Sequence, residues 1–468
     1  MAATDITAEV AVATATADDI STRIDALPFL PFHWRIASIL GAGTLFDAFD
    51  SLSIGAAMTM IVATFSLDFK TGGALLSSAF AGQFVGAIAF GYIGERIGRK
   101  WAFVIALTIF GLCSIGAATA QSVNQIMIAR IIQGVGLGAE VPVAAALFTE
   151  FVRGSARGLF IMVYETIFVW GIFLAPVVSL ACYSWFGPQL GWRMVFAVGG
   201  LPLIGALIAA VKLPESPRWL ASKGRLAEAQ AVVEAMEDEA QRRGKPLLPA
   251  QRVRVAPQRT RFGELFQGIY GKRTFVVWTM WFCSYFISNG FNSWAPTLYM
   301  KIGGLPASAA LKLTILSGAI QLVTCYIVAV SVDKHGRKPW FAGAFALAAV
   351  GAVMGAVATG LLGMHGWLPL VVCGIVMITG TGTNGLGVYL YTPELYPTRM
   401  RAWATATASS MNRLGSFLAP SIVGWMLAAG VQISIVFAMF AVIAVFAAAV
   451  VWFMGEETKR RALEELSP

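Results

Sequence analysis

Two carboxylates stand inside an apolar stretch near the start of the chain. Asp47 and Asp50 belong to a run from Ile36 to Phe65 whose other side chains are apolar or small. Three residues apart on a helix, both carboxylates lie on one face. An ionised carboxylate costs about 2.5–3.5 kcal/mol at the centre of a bilayer on insertion scales. The pattern predicts either a protonatable site facing water or a static pair with a basic residue on a neighbouring helix.

Two arginines, Arg130 and Arg413, also lie within apolar stretches. At about 1.5 Å per helical residue, Asp50 lies roughly 22 Å into its span, and Arg130 reaches a comparable depth in another. We therefore expect an Asp50–Arg130 pair. A substrate anion that competed for Arg130 would release the carboxylate to bind a proton, whereas a static ion pair is the alternative.

Arg413 would be a second fixed cation, and two cations suit a carboxylate substrate through charge-assisted hydrogen bonds. A salt bridge from Arg413 to Glu140 or Glu165 is the open alternative. Glu140 is expected near the membrane midplane, and the residue at the corresponding place in the second half of the chain is Asn384. Glu140 joins Asp47, Asp50 and Arg130 as a candidate for proton coupling, or is simply a buried protonated acid.

Further polar and aromatic residues within the spans are candidates for substrate binding. Each lone amide could equally serve to hold helices together. The candidates are Tyr164, Glu165, Tyr285, Asn289, Asn292, Trp294, Gln321, Asn384, Asn412 and Arg413.

The composition requires a membrane. Of the 468 residues, 57% are hydrophobic and 13% charged, which is not typical of a soluble domain. Apolar stretches of about 20 residues recur along the chain and predict an all-α integral membrane protein with twelve transmembrane helices. These spans are expected near residues 35–64, 72–93, 101–120, 124–149, 157–183, 193–213, 274–298, 309–330, 339–361, 367–391, 402–428 and 432–454.

Polar segments divide the chain into five parts. Within the only long one, an amphipathic helix is expected over 225–243, lying against the bundle. The predicted parts are an N-terminal arm (1–34), a first six-helix bundle (35–213), a connector (214–273), a second six-helix bundle (274–454) and a tail (455–468).

The basic residues predict the orientation. All but six lie in the arm, the tail or the polar segments after the even-numbered spans, and basic segments remain cytoplasmic. Both termini are thus expected on the cytoplasmic side of a plasma (inner) membrane, and the net charge of +9 is a topology signal that does not indicate nucleic acid. The six exceptions are Lys70, Arg193, Lys301, Lys312, Arg130 and Arg413.

The chain repeats itself. The segment from Glu95 to Lys100 is echoed from Asp333 to Lys338, and the spacing of Glu150 and Arg157 is echoed by Glu394 and Arg401. Two parallel six-helix repeats follow, and such repeats suit alternating access around a central site.

Several motifs resemble those of the major facilitator superfamily. Gly91-Tyr-Ile-Gly-Glu-Arg-Ile-Gly-Arg-Lys100 is similar to its loop between spans two and three, and Arg130 to Gly138 resembles its span-four motif. Pro214 to Leu220 and Pro393 to Thr398 resemble elements of sugar porters and bacterial metabolite:proton symporters. Asp47-Ala-Phe-Asp50 resembles the span-one element of aromatic-acid and nicotinate-type symporters, and Gly138 to Pro142 is also similar to synaptic-vesicle-protein-2-like carriers.

The resemblance implies the major facilitator fold and a role for the loop motifs as a cytoplasmic gate, in which ion pairs hold one state of the carrier. The residues that match these motifs are Glu95, Arg96, Arg99, Lys100, Glu150, Arg157, Asp333, Arg337, Glu394 and Arg401.

The expected function is proton-coupled symport of a small organic anion, such as an aromatic carboxylate; a sugar carrier is the alternative. No cluster typical of a catalytic centre is present, so an enzyme is not expected. The five cysteines are scattered singly, and neither a metal nor a cofactor is predicted. The expected partners are substrate, protons and membrane lipid, and the chain is expected to be a monomer.

Overall fold

A computed structural model describes residues 17–153, 157–249, 262–397 and 399–459, except for the side chains of 17, 157–165, 329–330, 333, 386 and 402. Sixteen α-helices occur in these residues. The first half and connector contain α1 (Ala17–Ala26), α2 (Pro31–Phe65), α3 (Phe69–Ile97), α4 (Arg99–Thr119), α5 (Val123–Thr149), α6 (Arg157–Val198), α7 (Pro202–Lys212), α8 (Pro217–Ser222) and α9 (Leu226–Arg242).

The second half follows a short 3-10 turn at Phe262–Phe266. It contains α10 (Gly268–Asn292), α11 (Ala295–Lys301), α12 (Ala307–His335), α13 (Arg337–Ala356), α14 (Trp367–Glu394), α15 (Arg401–Ala428) and α16 (Ile433–Met454). A π-helical turn at Val357–Leu361 extends α13.

In the described residues, nine helical stretches are long and apolar enough to cross a membrane. One of them, Thr166–Lys212, covers predicted spans five and six. Helices α10 and α15, which match spans seven and eleven, are not among the nine because they carry polar and cationic side chains. The expected class of twelve transmembrane helices in two six-helix repeats is thus recovered.

Spans five and six meet without the predicted loop. Helix α6 runs through residues 184–192 and is interrupted only at Gly187, whose φ of 69° lies in the left-handed region. Glycine adopts this conformation without the strain of a Cβ, and Pro188 then occupies the first turn of the next helical segment. Gly187 alone therefore reverses the direction of the chain, whereas the predicted spans left nine residues for this connection.

Alternate glycines let α5 pack between two neighbours. A Cβ at Gly134 or Gly138 would meet a carbonyl oxygen of α3 at 2.0 or 2.1 Å, and one at Gly136 would meet the Ala106 carbonyl of α4 at 2.5 Å. Only glycine permits this approach of backbones. The close packing brings the polar side chains of α5 to a defined depth and rotation.

The two halves meet along a seam, formed chiefly by α3 against α15 and α6 against α12. We call the end of the molecule that carries α1, α8 and α9 the connector face and the opposite end the far face. At the far face, one hydrophobic core contains residues of both halves, such as Ile61 and Leu75 with Trp294 and Val423.

Toward the connector face, the buried apolar side chains separate into two cores. One contains only first-half and connector residues, such as Leu40 and Leu147, and the other only second-half residues, such as Val276 and Tyr391. Among the described residues, the buried apolar side chains therefore form a shared core at the far face and a separate core in each half toward the connector face.

The N-terminal helix is attached to the connector. Ile20 and Ile24 of α1 pack with Val233 of α9 in a small core. Arg23 pairs with Glu237 at 2.5 Å. The amphipathic helix expected over 225–243 is thus α9, and part of its apolar face is covered by α1.

Candidate functional site

An ion pair deep in the first half forms the best-defined part of the site. Arg130 Nη1 donates to Asp50 Oδ2 at 2.5 Å, and both side chains are 1% exposed. Helices α2 and α5 bring the two residues to equal depth, as the rise per residue predicted. Burial of both charges is tolerable because the partners compensate each other.

Gln133 completes this cluster and was missed by the sequence analysis. Its Nε2 donates to Asp50 Oδ1 at 2.9 Å, and its Oε1 accepts from Arg130 Nη1 at 3.0 Å. Gln133 is fully buried. Its position three residues after Arg130, on the same helical face, was the available signal.

Asp47 lies one helical turn before Asp50 and is 7% exposed. Its Oδ1 has no hydrogen-bond partner among the described residues. Its electrostatic neighbours are Asp50 and Arg413, on opposite sides of the seam. Asp47 therefore stands between the buried ion pair of the first half and the arginine of the second.

Glu140 is fully buried against α2. Thr44 Oγ1 donates to its Oε1 at 3.1 Å, and a Cβ at Gly43 would come within 2.7 Å of the same oxygen. Gly43 thus makes room for the carboxyl group, and Thr44 provides a donor; the sequence analysis identified neither. The proton-coupling role of Glu140 stays a prediction.

In the part of the chain that the structure describes, Arg413 donates only to neutral oxygen atoms. Its Nη1 donates to Ser409 Oγ at 2.5 Å and to the Ser409 carbonyl at 3.2 Å, and its Nη2 donates to the Gly138 carbonyl across the seam at 3.3 Å. Within the described residues, no carboxylate lies within 4.0 Å of Arg413, the limit for an ion pair, so the alternative bridge to Glu140 is not formed. The alternative bridge to Glu165 stays a prediction, because that side chain lies outside the described set. Asp47, Tyr285 and Tyr389 are the ionisable groups that act on it electrostatically.

Aromatic side chains lie on the same side of the second half. Trp281 stacks on Tyr285 at a centroid distance of 6.0 Å and meets Tyr389 edge-on at 4.6 Å. The Trp281 indole donates to Thr392 Oγ1 at 2.9 Å, which fixes its orientation. Of these rings, only Tyr285 was among the predicted site residues.

Two predicted asparagines join α10 to α15. Asn289 Nδ2 donates to Ser416 Oγ at 2.8 Å, and Ser416 Oγ donates to Asn412 Oδ1 at 3.0 Å. This chain of hydrogen bonds fixes the two helices relative to each other one turn from Arg413. Asn292 donates instead to Ser288 Oγ on its own helix, at 3.2 Å.

Trp294 and Asn384 lie away from this group. The Trp294 indole donates to the Pro420 carbonyl at 2.9 Å and packs with Phe69 at the far face. Asn384 shares a helical face with Gly380 and Gly387, both of which contact α13. Neither amide atom of the buried Asn384 has a hydrogen-bond partner in the described part of the chain.

Gln321 lines a recess between the halves, on the far-face side of Arg413. The polar side chains of the recess come from its second-half wall, and its first-half wall is apolar. The lining residues are Leu52, Ile172, Pro176, Asn292, Ala295, Pro296, Thr314, Ser317, Gly318 and Gln321.

Four predicted side chains, those of Arg157, Tyr164, Glu165 and Asp333, lie outside the described set. The other predicted gate residues form one cluster at the connector face of each half. In the first half, Arg99 donates to Glu95 at 2.6 Å and to Glu150 at 3.4 Å. Arg96 stacks over Tyr92, and Lys100 lies over the ring of Trp101.

The second-half cluster repeats this geometry. Arg337 makes two hydrogen bonds to Glu394, at 2.9 and 3.1 Å. Arg401 lies beside this cluster, and its Nε donates to the Tyr396 carbonyl at 3.0 Å. Each cluster lies within one half, and their role as a gate stays a prediction.

Two carboxylates that the sequence analysis missed complete these clusters. Glu215 Oε1 accepts from the Arg99 and Lys100 amides at 2.9 and 3.1 Å. Glu457 accepts from the Arg337 and Lys338 amides at 3.0 and 3.1 Å. Both carboxylates cap a helix N-terminus. Burial raises the pKa of Glu215 above its ordinary value.

Two six-helix repeats around a seam with buried charges define a membrane transporter of the major facilitator type. The D-xylose-proton symporter crystal structure has the same fold, with a TM-score of 0.72, 21% sequence identity and coverage of 92% of this chain and 99% of that one. A sequence profile described as "Sugar (and other) transporter" matches residues 36–468. The chain belongs to this family.

Curated relatives agree with this assignment. The niacin transporter NiaP of Acinetobacter baylyi (strain ATCC 33305 / BD413 / ADP1) is 31% identical, over 96% of this chain and 99% of its own length. The 4-hydroxybenzoate transporter PcaK of the same strain is 26% identical, over 85% of this chain and 86% of its own. The protein is therefore a transporter and not an enzyme.

Proposed function

We propose that this transporter carries a small organic anion, of the aromatic carboxylate class, together with protons, by alternating access at the seam. The observation that carries the proposal is the contrast between its two deep arginines. Asp50 neutralises Arg130 at 2.5 Å, whereas Arg413 reaches only neutral oxygens among the described side chains and backbone. A half-buried guanidinium with neutral partners is suited to bind a carboxylate in a bidentate manner.

The surroundings of Arg413 favour an aromatic substrate. Tyr285 and Tyr389 act on it electrostatically, and both contact Trp281. Rings pair favourably in offset or edge-to-face arrangements. The names of the two curated relatives, a niacin and a 4-hydroxybenzoate transporter, support this class because both compounds are aromatic acids.

Asp50 and Asp47 supply the proton chemistry. In the state described, Asp50 is fully hydrogen-bonded, and Asp47 has an oxygen without a partner among the described residues. When a substrate anion draws Arg130 or Arg413 toward itself, the acid left behind takes up a proton, since an uncompensated buried charge is unfavourable. Release of substrate returns the arginine and expels the proton.

We further propose that the connector face is cytoplasmic and that the described state is open toward it. The basic residues are concentrated at this face. The separation of the two cores there supports access from that side.

Transport assays with the purified protein in liposomes test the proposal. We expect benzoate-type carboxylates to accumulate when the outside is acidified, and accumulation to collapse when a protonophore removes the gradient. Accumulation that ignores the pH gradient would reject proton coupling, and absence of carboxylate uptake would reject the substrate class.

A sugar carrier is the second candidate, because the recess beside Gln321 offers neutral hydrogen-bonding groups. Thr314, Ser317 and Gln321 line it from one helix, and Asn292 adds an amide. Hydroxyls and amides suit a polyol better than an anion. Uptake of neutral sugars in the same liposomes, without carboxylate uptake, would favour this function.

A further inference from the structure

Gln133 lies in the Asp50–Arg130 cluster but has no role in the transport cycle proposed above. It is fully buried, and its two amide atoms have different partners: Nε2 faces Asp50, and Oε1 faces Arg130. Only this orientation of the amide forms both bonds, since neither Asp50 as a carboxylate nor Arg130 could bond to the exchanged atoms. The orientation of Gln133 is therefore determined by the charges of its two neighbours.

Protonation of Asp50 would reverse one of these requirements. A protonated carboxyl carries an O–H that needs an acceptor, and Arg130 has none to offer. The Gln133 amide can provide an acceptor, its Oε1, if the amide group rotates half a turn about the terminal bond of the side chain. Its Nε2 would then face Arg130, which cannot accept a hydrogen bond, so the guanidinium would be released from the cluster.

We propose that Gln133 is a positioning residue whose amide serves both charge states of Asp50, donating to the carboxylate and, after rotation, accepting the carboxyl O–H while releasing Arg130. This inference rests on the proton coupling proposed above. No bond is made or broken except the O–H bond of Asp50, and the proton comes from the aqueous phase on the side that is open.

Two substitutions of similar size should act differently. In Gln133→Met, the ionised form of Asp50 loses a donor and the protonated form loses an acceptor, so proton binding no longer turns an amide and Arg130 is not released by it. In Gln133→Glu, the protonated side chain keeps one group that can donate and one that can accept, so part of the coupling should be retained.

Infrared titration of the protein in liposomes provides the direct measurement. The carboxyl C=O stretch of protonated Asp50 is identified by its loss in Asp50→Asn, and the amide C=O stretch of Gln133 is identified by its loss in Gln133→Met. The amide band should change frequency as the carboxyl band appears. Gln133→Glu adds a carboxyl of its own, so its effect is read from proton-driven uptake of benzoate. Gln125→Met is the matched control, because Gln125 lies on the same helix but is exposed at the far face.

Proton-driven uptake and substrate exchange separate this role from a structural one. We expect Gln133→Met to lose about 10-fold in proton-driven uptake while exchange of internal for external benzoate stays within twofold of wild type. Equal losses in uptake and exchange would show a packing role and overturn the inference. A Gln133 amide band that stays fixed while the Asp50 carboxyl band appears would also overturn it, without touching proton coupling. If no Asp50 carboxyl band appears in the wild type as the pH falls, the proposed coupling fails as well.

Discussion

The two halves of the bundle each hold one arginine deep within a span, and they surround it differently. Arg130 lies in a closed set of charge-compensating bonds with Asp50 and Gln133. Arg413 bonds to a hydroxyl and two backbone carbonyls, one of them across the seam. The contrast suggests a division of labour, in which the first half handles the proton and the second half attracts the substrate. The following substitutions test this division, beginning with the largest expected effect.

Asp50→Asn should abolish accumulation driven by a pH gradient, because an amide cannot take up and release a proton. Exchange of carboxylate across the membrane should persist, since the substrate-binding cation Arg413 is untouched. Uptake of radiolabelled benzoate into liposomes, with and without an imposed gradient, measures both activities.

Asp68→Asn is the matched control for this experiment. Asp68 caps α3 at the far face, accepting from the Thr71 amide, and lies outside the site. If Asp50→Asn still concentrates substrate against its gradient as the wild type does, the first half does not hold the proton site.

Arg413→Gln should weaken carboxylate binding by about 10- to 100-fold, the range expected for a hydrogen bond to a charged group. Proton binding at Asp50 should be unaffected, because its partners are in the other half. Isothermal titration of the detergent-solubilised protein with benzoate measures the affinity. Arg193→Gln is the control: Arg193 donates to the Ala118 carbonyl and stacks on Trp192 near the far face. A similar loss of affinity in both variants would remove Arg413 from the substrate site.

The two ion-pair clusters at the connector face, unlike the surroundings of the two arginines, have nearly the same geometry in the two halves. Burial raises the pKa of Glu215, so pH should affect the stability of the first-half cluster. Its stabilising contribution is complete below about pH 4.5 and is lost as the pH rises through the raised folded-state value.

Glu215→Gln should remove this dependence. The thermal midpoint of the wild type, relative to the variant, should fall by roughly 2 °C as the pH rises above 4.5. Scanning fluorimetry across a pH series measures the difference, with Glu228→Gln on the exposed face of α9 as control. Parallel curves for wild type and Glu215→Gln would contradict the expectation.

The smallest effect is expected at the attachment of α1, which only the first half possesses. Arg23→Gln removes the ion pair between Arg23 and Glu237. The side chains of the two partners are 24% and 19% exposed, respectively. A partly exposed pair of this kind contributes about 0.2–1 kcal/mol. Thermal unfolding should therefore shift little, and transport should be unchanged; a loss of transport would make α1 part of the moving machinery.

Much of the fold could be predicted because a bilayer imposes one length on every span. The interruption of α6 at Gly187 could not be predicted, since a single glycine at which the chain changes direction between two helical segments has no distinctive pattern in the sequence. The Asp50–Arg130 pair was predictable from depth alone, because both residues lie on long, regular helices.

The neutral members of the site could not be predicted in the same way. Gln133, Thr44 and Ser409 are ordinary polar residues, and their importance depends on how each helix is rotated about its axis. Asn384 shows the same limitation, since its position faces α13, whereas its sequence counterpart Glu140 meets Thr44. A charged residue within an apolar stretch can be recognised in a sequence. The rotation of a helix about its axis depends on how it packs against its neighbours, which the sequence does not display.

The shared core at the far face has an energetic consequence for the whole cycle. Opening that face would expose apolar surface of Ile61, Leu298 and Val423 to water, at about 25 cal/mol for each Å². Without ligand, the resting population should therefore favour the arrangement described, and the reverse arrangement must gain compensating contacts at the connector face. Replacement of one of these side chains by serine should redistribute the resting population and leave the chemistry of the binding site intact.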